Sequence, residues 1–334
     1  MAKAVKLEDI AKRLGVSNVT VSKALSDKSG VSEEMRKRIK GLAQQMGYIP
    51  LSSQKTKENK GTGNIGVLVP SRFIDGSTSF YWAIYQMVVT KLQARGYYAI
   101  LEILDDVDEE NCQLPKMIQD EKIDGLIMIG QVNAKYSEYI WKNNIVPVIF
   151  LDFYDTHMEY DTIISDGFYG MYVLTDYLIK MGHRDIGFVG KVLYTSSITD
   201  RFFGYQKALL ENHIPMRKEW VIDDRDMENN IKIELPNKLP TAFACNSDLA
   251  ANMMISTLAT RGLIVPDDIS IVGFDNYLYS TLSTAQITTY EVKIDKMAEL
   301  GVKTLLRKIN HKEYTKGVQI ITGQMVVKDT VKAR

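Results

Sequence analysis

A short segment near the N-terminus carries side chains that could read the edges of DNA bases. The set comprises Ser17, Asn18, Val19, Thr20, Ser22 and Lys23. If these residues lie on one helix, Asn18 could pair with adenine N6 and N7, and Lys23 could donate to guanine O6 and N7. Val19 could touch a thymine methyl group, and the short hydroxyls of the set suit phosphate oxygens near a helix start. We therefore predict that this segment binds DNA.

Three short helices are predicted to hold this segment in place. Their apolar residues recur at helical spacing, with Leu7, Ile10, Ala11 and Leu14 on the first, Val21, Ala24 and Leu25 on the second, and Met35, Ile39, Leu42, Ala43 and Met46 on the third. Gly15 ends the first helix, Ser17 and Ser32 are candidate N-caps of the next two, and Gly47 closes the third. Residues 7–25 thus have the dimensions of a helix-turn-helix, although spacing alone also fits a small helical bundle with a solvated face.

The charges of the chain are unevenly distributed. The net charge is zero, but residues 1–60 hold 13 Lys and Arg against 6 Asp and Glu, while the remainder holds 28 against 35. A basic head on an acidic body favours a polyanionic partner for the head alone. No apolar run is long enough to span a membrane, residues 1–6 do not resemble a secretory signal, and two distant cysteines suit a reducing compartment. We expect a cytoplasmic protein with no membrane partner.

Beyond the head, the sequence changes character twice. Residues 52–63 contain no large apolar side chain, which indicates a linker. From residue 64 onward, apolar runs at 65–69, 97–103, 125–129, 146–151, 186–189, 242–245 and 269–273 alternate with helical candidates that include 80–95, 169–181, 203–212 and 250–261. This alternation predicts an α/β architecture of doubly wound parallel sheets. About 270 residues suit two such lobes, with a ligand site at the carboxyl ends of their strands.

The sequence contains no enzyme or metal-site motif in the structural setting that its chemistry requires. Gly61, Gly63 and Gly66 match the dinucleotide-binding pattern, but they run from the linker into a strand and do not open a helix. The four histidines lack zinc-ligand spacing, and neither a nucleophile elbow nor a phosphate loop occurs. We expect no enzyme activity, no metal and no cofactor.

Two other classes of protein are compared with a DNA-binding sensor. A sugar-kinase-like enzyme with a DNA-binding head would need a phosphate loop and a catalytic aspartate in a glycine-rich context. A solute-binding protein would lack residues 1–50 and carry a signal peptide. The sequence has the features of neither class.

Short motifs run through residues 6–50 in a fixed order: Asp-Ile-Ala at 9–11, Gly-Val-Ser at 15–17, Thr-Val-Ser-Lys at 20–23, Val-Ser at 31–32 and Gly-Tyr-Ile-Pro at 47–50. They resemble the headpiece of the lactose-repressor (LacI/GalR) family. The resemblance continues in family order through Ile65–Pro70, Gly182–Gly190, Asp200–Tyr205, Ser247-Asp248 and Ile271–Asp275.

The resemblance implies a domain organisation. An all-α helix-turn-helix headpiece at 1–50 is joined by a hinge at 51–63 to an α/β, two-lobed sensor at 64–334 that is periplasmic-binding-protein-like. The lobes would comprise roughly 64–163 with 293–321, and 164–292 with 322–334. Family members are dimeric repressors, and residues 322–334 show no leucine heptad that would add a tetramerising tail. We expect a homodimer on a pseudo-palindromic double-stranded operator, with an effector that shifts the population of closed lobes.

Two departures from the family pattern affect the DNA contact. Lys23 stands where the family usually has Arg, and Lys lacks the bidentate guanidinium fork. Leu51, Gln54 and Lys57 stand where the family generally has Asn, Ala and Leu. That family Leu wedges into the central minor groove, and Lys57 can bind phosphate or the groove floor but cannot act as an apolar wedge.

Replacement of Lys57 by leucine is therefore expected to increase the DNA bend. Because each subunit of the homodimer would lose one phosphate contact, the salt dependence of DNA affinity should fall by about 1.8 in logarithmic slope. Both quantities can be measured, the bend by circular-permutation gel shift and the slope by titration in increasing salt. An unchanged bend angle together with an unchanged slope would count against this role of Lys57.

The resemblance also implies an effector site between the lobes. Residues that match the family's cleft positions are Phe80, Tyr81, Asp152, Arg201, Ser247, Asp248 and Asp275. Phe80 and Tyr81 could instead be core aromatics, and Arg201 could pair structurally with an acidic residue such as Asp200. Charged groups around aromatic faces suit a polyhydroxylated ring, so a sugar or sugar derivative is the first choice and a purine or other metabolite is the alternative. Whether the effector releases or recruits DNA binding stays open.

Overall fold

The structure is a computed structural model that describes residues 7–25, 30–46, 61–74, 79–143, 145–155, 160–226, 232–277 and 286–334. The chain divides into two compact units, which end and begin at Gly61 and Thr62. Of the predicted hinge at 51–63, only residues 61–63 are described; Lys57 lies outside the described residues.

The first unit contains the three predicted helices, α1 (Leu7–Leu14), α2 (Asn18–Leu25) and α3 (Glu33–Gln45). Their shared core buries Ile10, Ala11, Val21, Ala24, Ile39 and Ala43. Gly15 has a φ of +65°, a left-handed conformation that favours glycine and turns the chain from α1 into α2. Ser17 Oγ accepts a hydrogen bond from Thr20 N at 3.1 Å, and Ser32 Oγ accepts one from Met35 N at 3.3 Å. Both predicted N-caps are confirmed.

The second unit alternates strands and helices. Its strands are β1 (Asn64–Pro70), β2 (Tyr98–Leu104), β3 (Gly125–Ile129), β4 (Val148–Leu151), β5 (Thr162–Ser165), β6 (Ile186–Val189), β7 (Val221–Ile222), β8 (Ala242–Cys245), β9 (Ser270–Val272), β10 (Thr289–Glu291), β11 (Val318–Ile321) and β12 (Gln324–Val326). Its helices are α4 (Phe80–Gln93), α5 (Asp106–Glu110), α6 (Lys116–Gln119), α7 (Ala134–Asn143), α8 (Gly167–Lys180), α9 (Ser196–Glu211), α10 (Asp248–Ala259) and α11 (Ile294–Ile309).

One sheet, which defines the first lobe, has the strand order β11-β5-β4-β3-β1-β2 and is parallel throughout. Helices α4 and α11 pack on one face, and α11 contacts β3, β4 and β5. The other face buries Leu68, Met128 and Phe150 together with Tyr136 and Ile140 of α7. Burial on both faces explains why these strands read as continuous apolar runs.

A second parallel sheet, with the order β7-β6-β8-β9, defines the second lobe. Helices α8 and α9 pack together on one side. On the other side, Met254 and Leu258 of α10 pack with Phe243, Cys245 and Ile271. Strands β10 and β12 pair antiparallel, and the chain passes between the lobes after β5, after β10 and after β11.

The predicted strand runs all correspond to observed strands, and the predicted parallel α/β architecture is confirmed. One helix start was wrong: α9 begins at Ser196 and not near Phe203, because Thr195 caps it by accepting a hydrogen bond from Ile198 N at 3.1 Å. None of the helices in the described ranges is long and apolar enough to cross a membrane. Cys112 and the buried Cys245 are both free thiols.

Candidate functional site

Four predicted cleft residues meet between the two lobes. Tyr81 on α4 and Asp152 after β4 come from the first lobe, whereas Arg201 on α9 and Asp275 after β9 come from the second. Both aspartates follow parallel strands, so they stand at the carboxyl ends of the sheets, where doubly wound folds bind ligands. Tyr81 hydrogen-bonds Asp152, and the charge of Arg201 acts on both Asp152 and Asp275.

Arg201 is the central cation of this group. One terminal nitrogen donates to the Asn246 carbonyl at 2.6 Å, and the other donates to Asp275 Oδ1 at 3.2 Å. The guanidinium carbon lies 4.0 Å from the centroid of the Phe274 ring. The Nε–H is buried and makes no hydrogen bond within the described part of the chain. That Nε–H is a donor which an oxygen of an effector could use.

Burial shapes the protonation of the two aspartates. It raises the pKa of Asp152, an effect that Arg201 and the hydrogen bonds of Tyr81 and Ser165 oppose. It raises the pKa of Asp275 well above the ordinary value, again against the attraction of Arg201. Burial and the neighbouring Asp152 also raise the pKa of the Tyr81 phenol. Burial thus raises the pKa of both carboxyls, while the guanidinium that they share favours their ionised forms.

The backbone at these positions is held in left-handed conformations. The φ angles are +65° at Asp152, +106° at Asp275 and +52° at Asn276. Such angles at residues other than glycine cost about 1–3 kcal/mol each and persist only where neighbouring contacts enforce them. The residues that follow β4 and β9 are therefore held in one backbone conformation, which fixes the direction of the Asp152 and Asp275 side chains.

Aromatic rings line one side of the group. Phe80 is buried, and its ring centroid lies 6.4 Å from that of Tyr277 and 5.5 Å from that of Tyr81. Phe73 lies 4.6 Å from Tyr81 in the same measure. Close approach of these rings requires Gly130, where a Cβ would stand 2.7 Å from the Phe73 ring. The two predicted aromatic residues, Phe80 and Tyr81, therefore pack against other rings beside the charged residues and also belong to the hydrophobic core.

A cavity of about 400 Å³ is lined in part by Phe73, which contacts Tyr81, but the four grouped residues do not line it. Sequence reasoning missed the residues that line it. Arg72 lies on its wall and is bound by Glu109, whose Oε1 is 3.2 Å from Nη2. Tyr194 of the second lobe lines the same cavity. The signal available in the sequence was the charged residue directly after β1, at the carboxyl end of a sheet strand.

Two further contacts join the lobes beside this cavity. Gln131 Oε1 of the first lobe accepts from Ser196 N at the start of α9, at 3.0 Å. The Tyr154 hydroxyl donates to Asp200 Oδ1 at 2.8 Å. Asp200 therefore has Tyr154 as its partner, while Arg201 binds Asp275, so the alternative of an Arg201–Asp200 structural pair is not what the structure contains.

Ser247 and Asp248 occupy the start of α10. Ser247 is its N-cap and accepts from Ala250 N at 3.1 Å. Asp248 is buried, and its carboxylate accepts from Thr289 Oγ1 at 2.7 Å and from Tyr277 N at 3.2 Å. Burial raises the pKa of Asp248 to about 7, although these hydrogen bonds favour the ionised form. The structure therefore gives both side chains partners within the protein.

The predicted DNA-reading residues lie on or beside α2. Ser17 Oγ is 2.9 Å from Thr20 Oγ1, and Lys23 is exposed. Asn18, Val19 and Ser22 lie on α2 by their backbone, and their side chains fall outside the described part of the structure. Arg36 of α3 donates to the carbonyls of Lys23 and Ala24 at 3.4 Å, which fixes the end of this helix.

Comparison with known proteins assigns both units. Residues 6–51 match the family model of bacterial regulatory proteins of the lacI family, and residues 175–331 match a periplasmic binding protein-like domain. The HTH-type transcriptional repressor PurR of Pectobacterium carotovorum is 29% identical over 314 residues, which cover 92% of this chain and 91% of that protein. The probable HTH-type transcriptional repressor ExuR of Bacillus subtilis is 29% identical over 337 residues, or 98% of each chain.

Solved structures show the same fold. The Lac repressor dimer bound to operator and the anti-inducer ONPF superposes with a TM-score of 0.71 at 23% identity, covering 99% of this chain and 100% of that one. The complex of the transcriptional regulator CelR with cellobiose gives 0.70 at 18% identity, covering 98% and 99%.

A helix-turn-helix unit followed by a two-lobed α/β unit with parallel sheets is the architecture that this chain shares with these regulators. Residues 6–51 are thus similar to regulatory proteins of the lacI family, and both relatives described above are named as transcriptional repressors.

Proposed function

We propose that this protein is a repressor which binds a pseudo-palindromic operator as a homodimer and responds to a carbohydrate effector. The DNA is contacted by headpiece residues Ser17, Asn18, Val19, Thr20, Ser22 and Lys23, together with Lys57 in the hinge. Tyr81, Asp152, Arg201 and Asp275 hold the effector between the lobes.

The observation that carries the effector site is the convergence of Arg201, Asp275 and Asp152 from different lobes. A buried guanidinium between two carboxyls offers donors and acceptors in fixed directions, which suits vicinal hydroxyls of a sugar ring. The rings of Phe80 and Tyr277 add apolar faces for sugar C–H groups. Binding between the lobes favours their closed arrangement, because such a ligand contacts both lobes only when they are close.

A purine is the second candidate effector, because the aromatic faces of Phe80 and Tyr277 could also stack on a planar base. Several relatives are repressors that carry the name PurR. In a purine site, Asp152 and Asp275 would accept from ring N–H groups and Phe80 would stack on the base. The two effector classes differ in the donors that Asp275 would accept from. These are hydroxyl groups in a sugar and ring N–H groups in a nucleobase.

A thermal-shift panel distinguishes the two classes. The protein is heated alone and with glucose, galactose, cellobiose, adenine, guanine or hypoxanthine. A compound at a hundred times its Kd stabilises the folded state by about 2.7 kcal/mol, which raises the Tm by several degrees. A shift with a sugar supports the proposal; a shift with a nucleobase alone would replace it by the purine alternative.

Replacement of Lys23 by alanine tests the DNA-binding surface. We expect affinity for a duplex selected from a random library by the wild-type protein to fall at least about tenfold, because each subunit of the homodimer loses one base contact. Affinity for a scrambled duplex should fall little, and gel shift measures both affinities. Lys37 of α3 is exposed and supplies the control, since K37A removes the same charge and should weaken binding to both duplexes alike. An equal loss on both duplexes for K23A would contradict the assignment.

A further inference from the structure

Asp248 hydrogen-bonds two segments of the chain, the loop that carries Asp275 and strand β10. We propose that Asp248 is a positioning residue that fixes the effector-site loop Asp275–Tyr277 to the crossover strand β10, so that a movement of one is passed to the other. The functional part of this inference rests on the proposed effector site.

The contacts of Asp248 reach both segments at once. Its carboxylate accepts from Tyr277 N at 3.2 Å and from the Asn276 backbone, and it accepts from Thr289 Oγ1 of β10 at 2.7 Å. Its own backbone N–H donates to the Phe274 carbonyl at 2.7 Å. Main chain and side chain of one residue therefore hold the whole turn that carries Asp275.

The turn that carries Asp275 has a strained backbone, which the hydrogen bonds of Asp248 help to maintain. Asp275 and Asn276 are consecutive residues in left-handed conformations, which are strained for side chains of this kind. Gly273 allows the carboxylate to approach, since a Cβ at that position would stand 2.2 Å from Asp248 Oδ1. A glycine directly after β9 is thus matched to the aspartate at the start of α10.

The crossover strand is bound to the same turn by its backbone. Asp275 N donates to the Tyr290 carbonyl at 2.9 Å, and Val292 N donates to the Asp275 carbonyl at 3.2 Å. After Val292 the chain enters α11, which packs on the sheet of the first lobe. Asp248 therefore stands where the effector loop of the second lobe meets a connection to the first.

Charged groups around Asp248 leave its carboxylate without a direct ion pair among the described residues. Lys328 attracts it from the C-terminal segment, but Lys328 Nζ donates to Asn276 Oδ1 at 2.8 Å. Asp275 repels it from the loop, and the buried Cys245 thiol lies at the end of β8. The Asp248 carboxylate is therefore held by hydrogen bonds from the loop and from Thr289. Because both sets of bonds meet on one carboxylate, each stabilises the position in which the other can form.

Hydrogen–deuterium exchange of the full-length protein at pH 8 tests the proposal. In D248A we expect the amides of Tyr277 and Val292 to exchange about tenfold faster, because Tyr277 N loses its acceptor and Val292 N donates to the Asp275 carbonyl of the loop that is released. D248N should restore both amides to within about threefold of wild type, since its amide oxygen can accept from Tyr277 N while its NH2 group donates to Thr289 Oγ1 in the reverse direction. S247A should affect only the first turn of α10, at Ala250 and Ala251. D267A, which alters an exposed carboxylate of the same lobe, should affect neither segment.

Several results would overturn the proposal. Faster exchange of D248A only in the first turn of α10, or evenly across the second lobe, would reduce Asp248 to a packing residue, and so would a failure of D248N to restore the wild-type rates. If D248A does not fold, T289V tests the same coupling. This variant should accelerate amide exchange at Tyr277 as well as at Val292, and faster exchange at Val292 alone would contradict the proposal. The measurement needs neither DNA nor effector, so its failure leaves the proposed function standing, and a failure of DNA binding leaves this result intact.

Discussion

Replacement of Arg201 by alanine is expected to abolish the response to effector. The variant would leave Asp275 and Asp152 buried without their shared cation, and it would remove the hydrogen bond to the Asn246 carbonyl. Breaking a buried ion pair by removing one partner costs about 3–5 kcal/mol, so the free energy of unfolding should fall by that order. Affinity for a compound that shifts the wild-type Tm should fall about a hundredfold or more, because charge-assisted hydrogen bonds are lost together. Calorimetric titration and thermal unfolding measure the two effects.

The control for Arg201 is Arg217, which is exposed in the same lobe with its guanidinium carbon 4.9 Å from the Trp220 ring centroid. R217A removes the same charge and should leave both the affinity and the effector-induced Tm shift close to wild type. An R201A protein that still shifts its Tm with the wild-type compound, and to the same extent, would show that the effector binds elsewhere.

Replacement of Gly204 by alanine is expected to destabilise the second lobe strongly. A Cβ at this position would stand 2.1 Å from the Phe168 carbonyl oxygen of α8 and 2.9 Å from Tyr172 N. Both atoms belong to backbone, so α8 and α9 must separate to admit the methyl group. Overpacking of this kind costs on the order of 3 kcal/mol, and α9 would carry Arg201 away from Asp275 as it moves. G204A should therefore lower the Tm and weaken effector binding together.

Gly41 provides the matched control for that substitution. It lies inside α3, and a Cβ there would meet no atom within 4 Å. G41A should stabilise its helix by about 0.5–1 kcal/mol, because alanine loses less backbone entropy than glycine on folding. Equal unfolding free energies for G204A and wild type would contradict the close packing of α8 on α9.

The headpiece could be predicted from sequence because local signals agree there. The positive φ of Gly15, the caps formed by Ser17 and Ser32, and the apolar spacing within each helix all act over a few residues. The strands of both sheets were also predictable, since burial on both faces leaves unbroken apolar runs. The site residues named from family resemblance include four that the fold brings together, Tyr81, Asp152, Arg201 and Asp275.

What sequence could not supply depends on contacts between distant segments. The start of α9 is a polar, hydroxyl-rich stretch, and a distant segment holds it, since Ser196 N donates to Gln131 Oε1 at 3.0 Å. Strand β11 alternates exposed and half-buried residues at a sheet edge, so it gives no apolar run. The direction of the Asp248 carboxylate depends on Gly273 and Thr289, which lie 25 and 41 positions further along the chain.

The most direct test of the central claim is operator affinity with and without effector, measured by fluorescence anisotropy. The full-length protein is titrated into a labelled duplex selected from a random library and into its scrambled counterpart, each with and without the compound that gives the largest thermal shift. We expect the selected duplex to bind at least about a thousandfold more tightly than the scrambled one. The compound should change that affinity by about fivefold or more. Equal affinity for both duplexes, or an affinity for the selected duplex that the compound leaves unchanged, would contradict an effector-controlled, sequence-specific regulator.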